Sequence, residues 1–376
     1  MNDVELIATA AAGIESAVKH EVKSLGVNDI TVENGKITFR GDISIIPRAN
    51  LCLRCADRVL LKIGEFEALT FEELFEKTKA LPWDEWISRD GKFTVLGKSV
   101  KSKLFSISDC QAIVKKAVVE KLKSKYHVEW FEETGPEYTI QVSVLKDIAT
   151  LTIDTSGTAL HKRGYREKNV VAPIKETLAA AMIMISYWNK GKTLLDCFCG
   201  SGTIPIEAAL IGKNIAPGLN RSFASEEWPV IGKEIWKQER VKALQAIDQD
   251  IKLKIYASDI SHDAVELAME NAFNAGVDDC IKFSVSDFKN VRINDEYGVI
   301  ICNPPYGERL GQQQEIALLN KDIGRAFSKY ETWSKYIITS SEEFEKYYGK
   351  KADKKRKLYN GNIKVDYYQY FGPKPV

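Results

Sequence analysis

The stretch TLLDCFCGSGTIPIEAALIG (193–212) decides the architecture of this chain. It begins as an apolar run, passes two close glycines, Gly200 and Gly202, and continues as TIPIEAALIG, which has the composition of a buried helix. A strand, a tight turn and a helix in that order open a unit in which strands alternate with helices. Glycine allows the turn to be tight, and it lets backbone N–H groups approach a bound molecule at the start of the helix.

Downstream the alternation continues. TLLDCF (193–198), KIYASD (254–259), IKFSVSD (281–287), YGVIIC (297–302) and YIITS (336–340) read as strands. TIPIEAALIG, SHDAVELAMENAFNAG and EIALLNKDIGRAFSKY read as the helices between them, and IKETLAAAMIMISYW as a helix before the first strand. This order predicts a mostly parallel α/β sheet covered on both faces. The end differs: RKLYNGNIKVDYYQYF holds Asn360-Gly361 between β-rich runs, which predicts an antiparallel hairpin for the last two strands. A segment of roughly 213–250 is inserted between the first helix and the second strand.

Upstream, residues 1–155 follow another pattern. VELIATA reads as a strand, GIESAVKHEVKSLG as a helix, and DITVENGKITFR as two strands about Asn34-Gly35. ISIIPRANLCLRCADRVLLKIGEF is a helix running into a strand, FEELFEKTKAL a helix and FTVLGKSV a strand. Ser108–Lys125 is an amphipathic helix with Ser108 as the expected N-cap, and YTIQVSVLKDIATLTIDTS closes the region with two strands. The pattern fits an α+β module. Residues 156–168 then form a linker, and 169–376 a second domain. The length of 376 residues agrees with more than one core.

Composition narrows the class. Apolar residues are 44% and charged residues 28%, ordinary for a globular chain, and the net charge of +1 confines any polyanion-binding surface to a local patch. Seven scattered cysteines suggest a reduced interior, and Cys52-Leu-Arg-Cys55 is a lone CxxC inside an expected helix with no second pair. Four histidines lie far apart, so no metal site is expected. The amino terminus lacks a signal-like core, and Leu178–Trp188 is too short to span a bilayer. The expectation is a cytoplasmic protein without membrane contact.

In an open α/β sheet, ligands lie at the carboxyl ends of the strands. Those ends carry Asp196, Asp259, Asp287 and Asn303 in turn. A dinucleotide site would want a third glycine where Pro205 stands, and an acid about 20 residues on. Asp259 instead lies 57 residues past Gly202. A nucleoside without pyrophosphate suits this better: Asp259 can accept from ribose hydroxyls and Asp287 from an adenine amine, with Phe288 as an apolar wall. Phe198, Thr203 and Ile260 flank these positions and complete the candidate ligand set.

Asn303-Pro304-Pro305-Tyr306 ends the fourth strand. An exocyclic amine on a nucleobase is a poor nucleophile because its lone pair is delocalised into the ring. Acceptors on both of its hydrogens, the Asn303 side-chain oxygen and the Pro304 carbonyl, would favour a pyramidal nitrogen. Two prolines hold those carbonyls in place before reaction, and Tyr306 offers a face for stacking. In-line transfer from a sulfonium methyl then needs no metal, and the target base must be flipped or single-stranded.

Four segments together carry a resemblance: LHKRGYR (160–166), LLDCFCGSGTIPIEAA (194–209), NIAPGLNR (214–221) and NPPYGERLG (303–311). Over essentially its whole length the chain resembles the THUMP-domain-containing class I S-adenosylmethionine-dependent RNA methyltransferases. Within them it is most similar to the 23S ribosomal RNA guanine-N2 group, often labelled N6-adenine-specific DNA methylases. The resemblance implies a Rossmann-like domain with a seven-stranded sheet, preceded by a ferredoxin-like and THUMP RNA-binding module, with THUMP at roughly 43–155. It implies S-adenosylmethionine as cofactor, held by Asp196, Gly200, Gly202, Asp259 and Asp287, and a target amine held by Asn303–Tyr306. Cys197 stands where the family usually has proline.

It also implies an RNA partner, 23S rRNA or a large-subunit precursor. Between Lys92 and Lys125 there are nine lysines against Asp109 and Glu120, and Lys98, Lys101, Lys103, Lys115 and Lys116 are the candidate contacts. A second cluster over 346–357 offers Lys354, Lys355 and Arg356, and the linker offers Arg163, Tyr165 and Arg166. The alternatives are guanine N2 in transfer RNA, adenine N6 in DNA, and a non-catalytic RNA-binding or assembly factor.

Overall fold

A computed structural model describes residues 3–166, 174–306 and 313–374. Residues 307–311 of the quoted NPPYGERLG segment lie outside them. The chain divides into two units. Unit 1 takes Met1–Ala10, Lys19–Leu160 and Arg221–Ala243; unit 2 takes Ala11–Val18, His161–Asn220 and Leu244–Val376.

The first part of the chain runs β1 (Val4–Thr9), α1 (Glu15–Ser24), β2 (Ile30–Glu33), β3 (Lys36–Gly41), α2 (Ile45–Cys52), β4 (Arg58–Glu67), α3 (Phe71–Lys79), β5 (Lys92–Val100), α4 (Ile107–Tyr126), β6 (Glu137–Leu145) and β7 (Ile148–Asp154). Its sheet has the order β2-β3-β1-β4-β7-β6-β5. Neighbours are antiparallel except β5 and β6, which are parallel. β6 alternates between buried and half-buried residues, as a strand with one covered face must. Asn34-Gly35 is the two-residue loop that its sequence predicts, with Glu33 opposite Lys36.

Two local expectations are corrected in unit 1. The N-cap of α4 is Ser106, and Ser108 lies inside the first turn. Ile107 is exposed, so apolar periodicity does not mark it as the true start. The pair Cys52 and Cys55 straddles the end of α2 instead of lying within it. The turn is held by Glu21, whose carboxylate accepts the Arg54 and Cys55 N–H groups at 2.7 and 2.9 Å.

Part of the inserted segment also belongs to unit 1. Trp228 stacks on Tyr138 at 4.9 Å and donates to the Glu137 carbonyl. Arg48 pairs with Glu239 at 2.9 Å.

The second part runs α5 (Glu176–Ile185), β8 (Leu194–Asp196), α6 (Thr203–Gly212), α7 (Lys233–Gln245), β9 (Ile255–Asp259), α8 (His262–Asn274), β10 (Ile281–Val285), β11 (Val299–Cys302), α9 (Gln313–Ser328), β12 (Ser334–Thr339), α10 (Phe344–Tyr348), β13 (Lys354–Asn360) and β14 (Ile363–Tyr370). The sheet order is β10-β9-β8-β11-β12-β14-β13. The first five strands in that order are parallel, and β14 runs antiparallel to both β12 and β13. β8 and β11 are buried at every residue, as strands covered on two faces must be. The core includes Leu195, Ile300, Ile323, Phe327, Trp333 and Ile337. No helix among the described residues is long and apolar enough to cross a membrane.

The carboxyl ends of the parallel strands share one edge, with β8, β9 and β10 on one side of β11. On the other side, β13 runs parallel to β12, so the loop between β13 and β14 returns to that same edge.

Candidate functional site

A cavity of about 610 Å³ opens at this edge of unit 2. Its walls include Asp196, Phe198, Gly200, Thr203, Asp259, Ile260, Asp287 and Phe288, together with Asn303, Pro304, Pro305 and Tyr306. The sequence thus brings residues from four strand ends to one space. Gly202 does not line it; it is the N-cap of α6, at φ +82°.

The three aspartates share a local device. Asp196 Oδ1 accepts the Phe198 N–H at 3.1 Å, Asp259 Oδ1 that of Ser261 at 3.1 Å, and Asp287 Oδ1 that of Lys289 at 2.9 Å. Each is the side chain of an aspartate bonding the backbone two residues on, which turns the chain sharply as it leaves the strand. At Asp196 and Asp287 the turn takes one carboxylate oxygen and leaves the other for the cavity that both residues line. Asp259 uses its Oδ2 as well, accepting the Gly200 N–H at 2.9 Å and tying the glycine turn to the next strand.

Asp196 is buried, and burial pushes its carboxyl up to about 8; the Phe198 N–H works against this and Asp259 adds to it. Among the described residues no basic side chain pairs with it. A buried acid of this kind fits a ligand that brings its own positive charge. Phe198 and Phe288 lie 4.9 Å apart and form an apolar wall. Those features fit S-adenosylmethionine, which combines a cationic sulfonium and ammonium with a nucleoside.

At the end of β11, Asn303 Oδ1 accepts the Tyr306 hydroxyl hydrogen. The amide and the ring are therefore fixed relative to each other across the two prolines. The side-chain carbonyl oxygen of Asn303 keeps a second lone pair for another donor.

The linker candidates depart from expectation. Arg163 and Tyr165 are each 3% exposed, so neither offers a surface to RNA. Arg163 donates to both oxygens of Glu207 at 3.2 Å, and the Tyr165 hydroxyl donates to Glu207 at 3.3 Å. A guanidinium buried this deeply requires a carboxylate, and α6 supplies it from within an apolar helix. That lone acid in TIPIEAALIG is the sequence signal for the pair. Arg166 donates to Thr203 Oγ1 and pairs with Glu176 at 3.3 Å, joining the first turns of α6 and α5.

The lysines of unit 1 divide into two groups. Lys92, Lys121, Lys123 and Lys125 pair with Glu137, Asp84, Glu129 and Asp84. Lys98, Lys101, Lys103, Lys115 and Lys116 are exposed and have no ion pair among the described residues. In the second cluster Lys354 is exposed, Lys355 pairs with Asp366 at 2.9 Å, and Arg356 is half-buried. Sequence reasoning misses Ile174, Lys289, Leu319, Asn360 and Ile363, all of which line the cavity. Asn360 presents itself in the sequence only as a turn residue.

Comparison with known proteins identifies three segments. Residues 5–60 match the RlmL ferredoxin-like domain, 68–154 the THUMP domain, and 163–369 the RMKL-like methyltransferase domain. The chain is 54% identical over 373 residues to a Bacillus subtilis (strain 168) protein named "Putative RNA methyltransferase YpsC", covering 99% of this chain and 97% of that one. It is 31% identical over 380 residues to the ribosomal RNA large subunit methyltransferase K/L of Syntrophotalea carbinolica, covering 96% of this chain and 52% of that protein. The chain thus spans about half the length of the K/L relative. The crystal structure of SMU.472 complexed with SAH superposes with a TM-score of 0.95 at 46% identity, covering 100% of both chains.

Proposed function

The chain belongs to the RMKL-like methyltransferase family, whose methyl donor is S-adenosylmethionine, and on that premise we propose that it methylates the exocyclic N2 of a guanine in RNA, with 23S ribosomal RNA as the substrate. One observation carries this reading: the Asn303–Tyr306 corner lines the same cavity as the aspartates and glycine turn of β8, β9 and β10. The bound cofactor supplies an electrophilic methyl on sulfur. All remaining work falls to the chain.

Asp196, Asp259 and Asp287, with Phe198, Gly200, Thr203, Ile260 and Phe288, hold the nucleoside and its charged tail. Gly202 sets the start of α6 without a side chain. Asn303 Oδ1 and the Pro304 carbonyl accept the two hydrogens of the target amine and turn its lone pair outward. Pro305 stiffens the corner, and Tyr306 stacks on the base. These acceptors are in place before the reaction, so no reorganisation is needed during it.

The THUMP match and the naming of the relatives as RNA and ribosomal RNA methyltransferases support RNA over DNA. Asn303→Ala should lower kcat by about 10²-fold or more while leaving cofactor affinity within about twofold, by analogy with the loss of one preorganised hydrogen-bonding group. Single-turnover kinetics and calorimetry measure the two quantities separately. Wild-type turnover in that variant would remove Asn303 from the reaction. Nucleoside mass spectrometry on RNA from a strain lacking the gene reports the base, the methylated atom and the RNA class together.

A further inference from the structure

The geometry points to Asn360 as the residue that reads the target base, donating a hydrogen bond to guanine O6 and so distinguishing guanine from adenine. The inference rests on the guanine-N2 reading above and extends it to specificity.

Asn360 closes β13, and its partner across the hairpin is Ile363 at the start of β14. The loop between them is therefore Gly361-Asn362, with Gly361 at φ +63°. The sequence pattern points instead to Asn360-Gly361 as the turn. The shift of one residue matters: it places Asn360 at a strand end instead of in the turn. Residues directly opposite in an antiparallel pair project from the same face. Both Asn360 and Ile363 line the cavity.

The strand order says which part of the ligand they meet. Asp196, Asp259 and Asp287 lie at or just beyond β8, β9 and β10, on one side of β11. The β13–β14 hairpin lies on the other side of β11, and the Asn303–Tyr306 corner stands between the two groups. A base held at that corner, beyond the cofactor residues, lies between it and the hairpin tip.

The Asn360 side chain is also oriented. Its Oδ1 accepts the Lys175 N–H at 3.3 Å. That bond fixes which end of the amide is which, and the NH2 at the other end has no hydrogen-bond partner among the described residues. Guanine carries an acceptor, O6, where adenine carries an amine donor. An N–H donor at the base site therefore accepts guanine, and it meets adenine with two donors opposed. Ile363 beside it supplies an apolar contact to the ring.

Asn360→Asp is the informative variant. It keeps an oxygen for the Lys175 N–H and replaces the donor by an acceptor. The substrate is RNA purified from a strain lacking the gene, followed by an RNA fragment containing the nucleotide mapped in it, with guanine or 2-aminopurine at that position. Purified wild-type and variant chains are compared for kcat/KM, for S-adenosylmethionine affinity by calorimetry, and for thermal midpoint. We expect Asn360→Asp to lower kcat/KM on guanine by about 10- to 100-fold, the usual range for losing a hydrogen bond to a base edge, with unchanged cofactor affinity. On 2-aminopurine, which keeps the N2 amine but lacks O6, wild type and variant should converge.

Wild-type kcat/KM for Asn360→Asp on guanine would overturn the assignment. So would an equal loss on both bases, which is the signature of a structural role. If the wild-type enzyme itself yields N6-methyladenine, the guanine reading fails and this inference with it. Asn360→Ala is the second variant: it must also spare cofactor affinity and lose discrimination, and a folded Asn360→Ala that retains it refutes the proposal.

Discussion

Asp196 is a buried acid whose ionisation costs the folded chain stability. Its carboxyl is raised to about 8 chiefly by burial, against an ordinary value of 3.8. A folded-state value above the unfolded one means that the folded chain holds the proton more tightly. The associated stability is complete below about pH 4 and is lost progressively as pH rises through about 8. Asp196→Asn keeps an oxygen for the Phe198 N–H and cannot ionise. The cofactor-free variant should therefore match wild type near pH 4 and exceed it at pH 9 by about 5 kcal/mol, or ~10–20 °C in thermal midpoint. The same variant should bind S-adenosylmethionine more weakly, because its charge complement is gone. Scanning calorimetry across pH checks the first part, and an unchanged or lower midpoint at pH 9 would contradict it.

At the scale of elements, the start of α6 separates fold from ligand. Gly202 sits at φ +82°, and a Cβ there would lie 3.0 Å from Ala268 Cβ on α8. Gly200 sits at φ +50°, but a Cβ there would meet nothing within 4 Å. Both substitutions force a side chain onto a left-handed backbone, which costs about 1–2 kcal/mol. Gly202→Ala adds a steric cost and pushes α6 from α8, so in urea unfolding it should be the more destabilising of the two. Gly200→Ala should lose cofactor affinity more than stability, since its new methyl group enters the space beside the cavity. Equal stability of the two variants would remove this distinction.

The same elements explain what is legible in the sequence. Alternation in β6, and unbroken apolar runs in β11 and α6, announce strands and helix because their burial is regular. Asp196, Asp259, Asp287 and Asn303 are visible because each follows an apolar run at a place where ligands gather. Asn360, Ile363 and Ile174 are not visible: for the first two, only the antiparallel return of β13 and β14 brings the hairpin tip to that edge. Arg163 and Tyr165 look like surface contacts because a linker arginine usually is one. Their burial depends on Glu207, 44 residues away from Arg163, which no local pattern links to them.

For the molecule as a whole, the net charge of +1 predicts little attraction to RNA, yet the lysines are not evenly neutralised. Lys92, Lys121, Lys123 and Lys125 already have carboxylate partners, while Lys98, Lys101, Lys103, Lys115 and Lys116 carry none among the described residues. α4 packs over β5, with Gln111 and Ile107 above Gly97, so Lys98, the next residue on the strand, projects from the opposite face of the sheet to the helix lysines. Lys115 lies over the Phe93 ring and Lys116 over the Phe75 ring, at 6.0 and 5.6 Å, which limits where their charges can point. Unpaired lysines bind phosphate by releasing counterions from RNA, and each neutralised phosphate steepens the salt dependence of binding. Replacing Lys98, Lys101, Lys103, Lys115 and Lys116 by alanine should weaken RNA binding. It should also flatten log K against log salt by about 0.7–0.9 for every phosphate that is no longer neutralised. Replacing the ion-paired Lys92, Lys123 and Lys125 removes as much formal charge per residue but should change the slope far less, because carboxylates already occupy them. Fluorescence anisotropy with a fixed RNA at several salt concentrations measures both slopes. Equal flattening in the two variants would mean that RNA responds to the overall charge of unit 1 and not to the unpaired lysines.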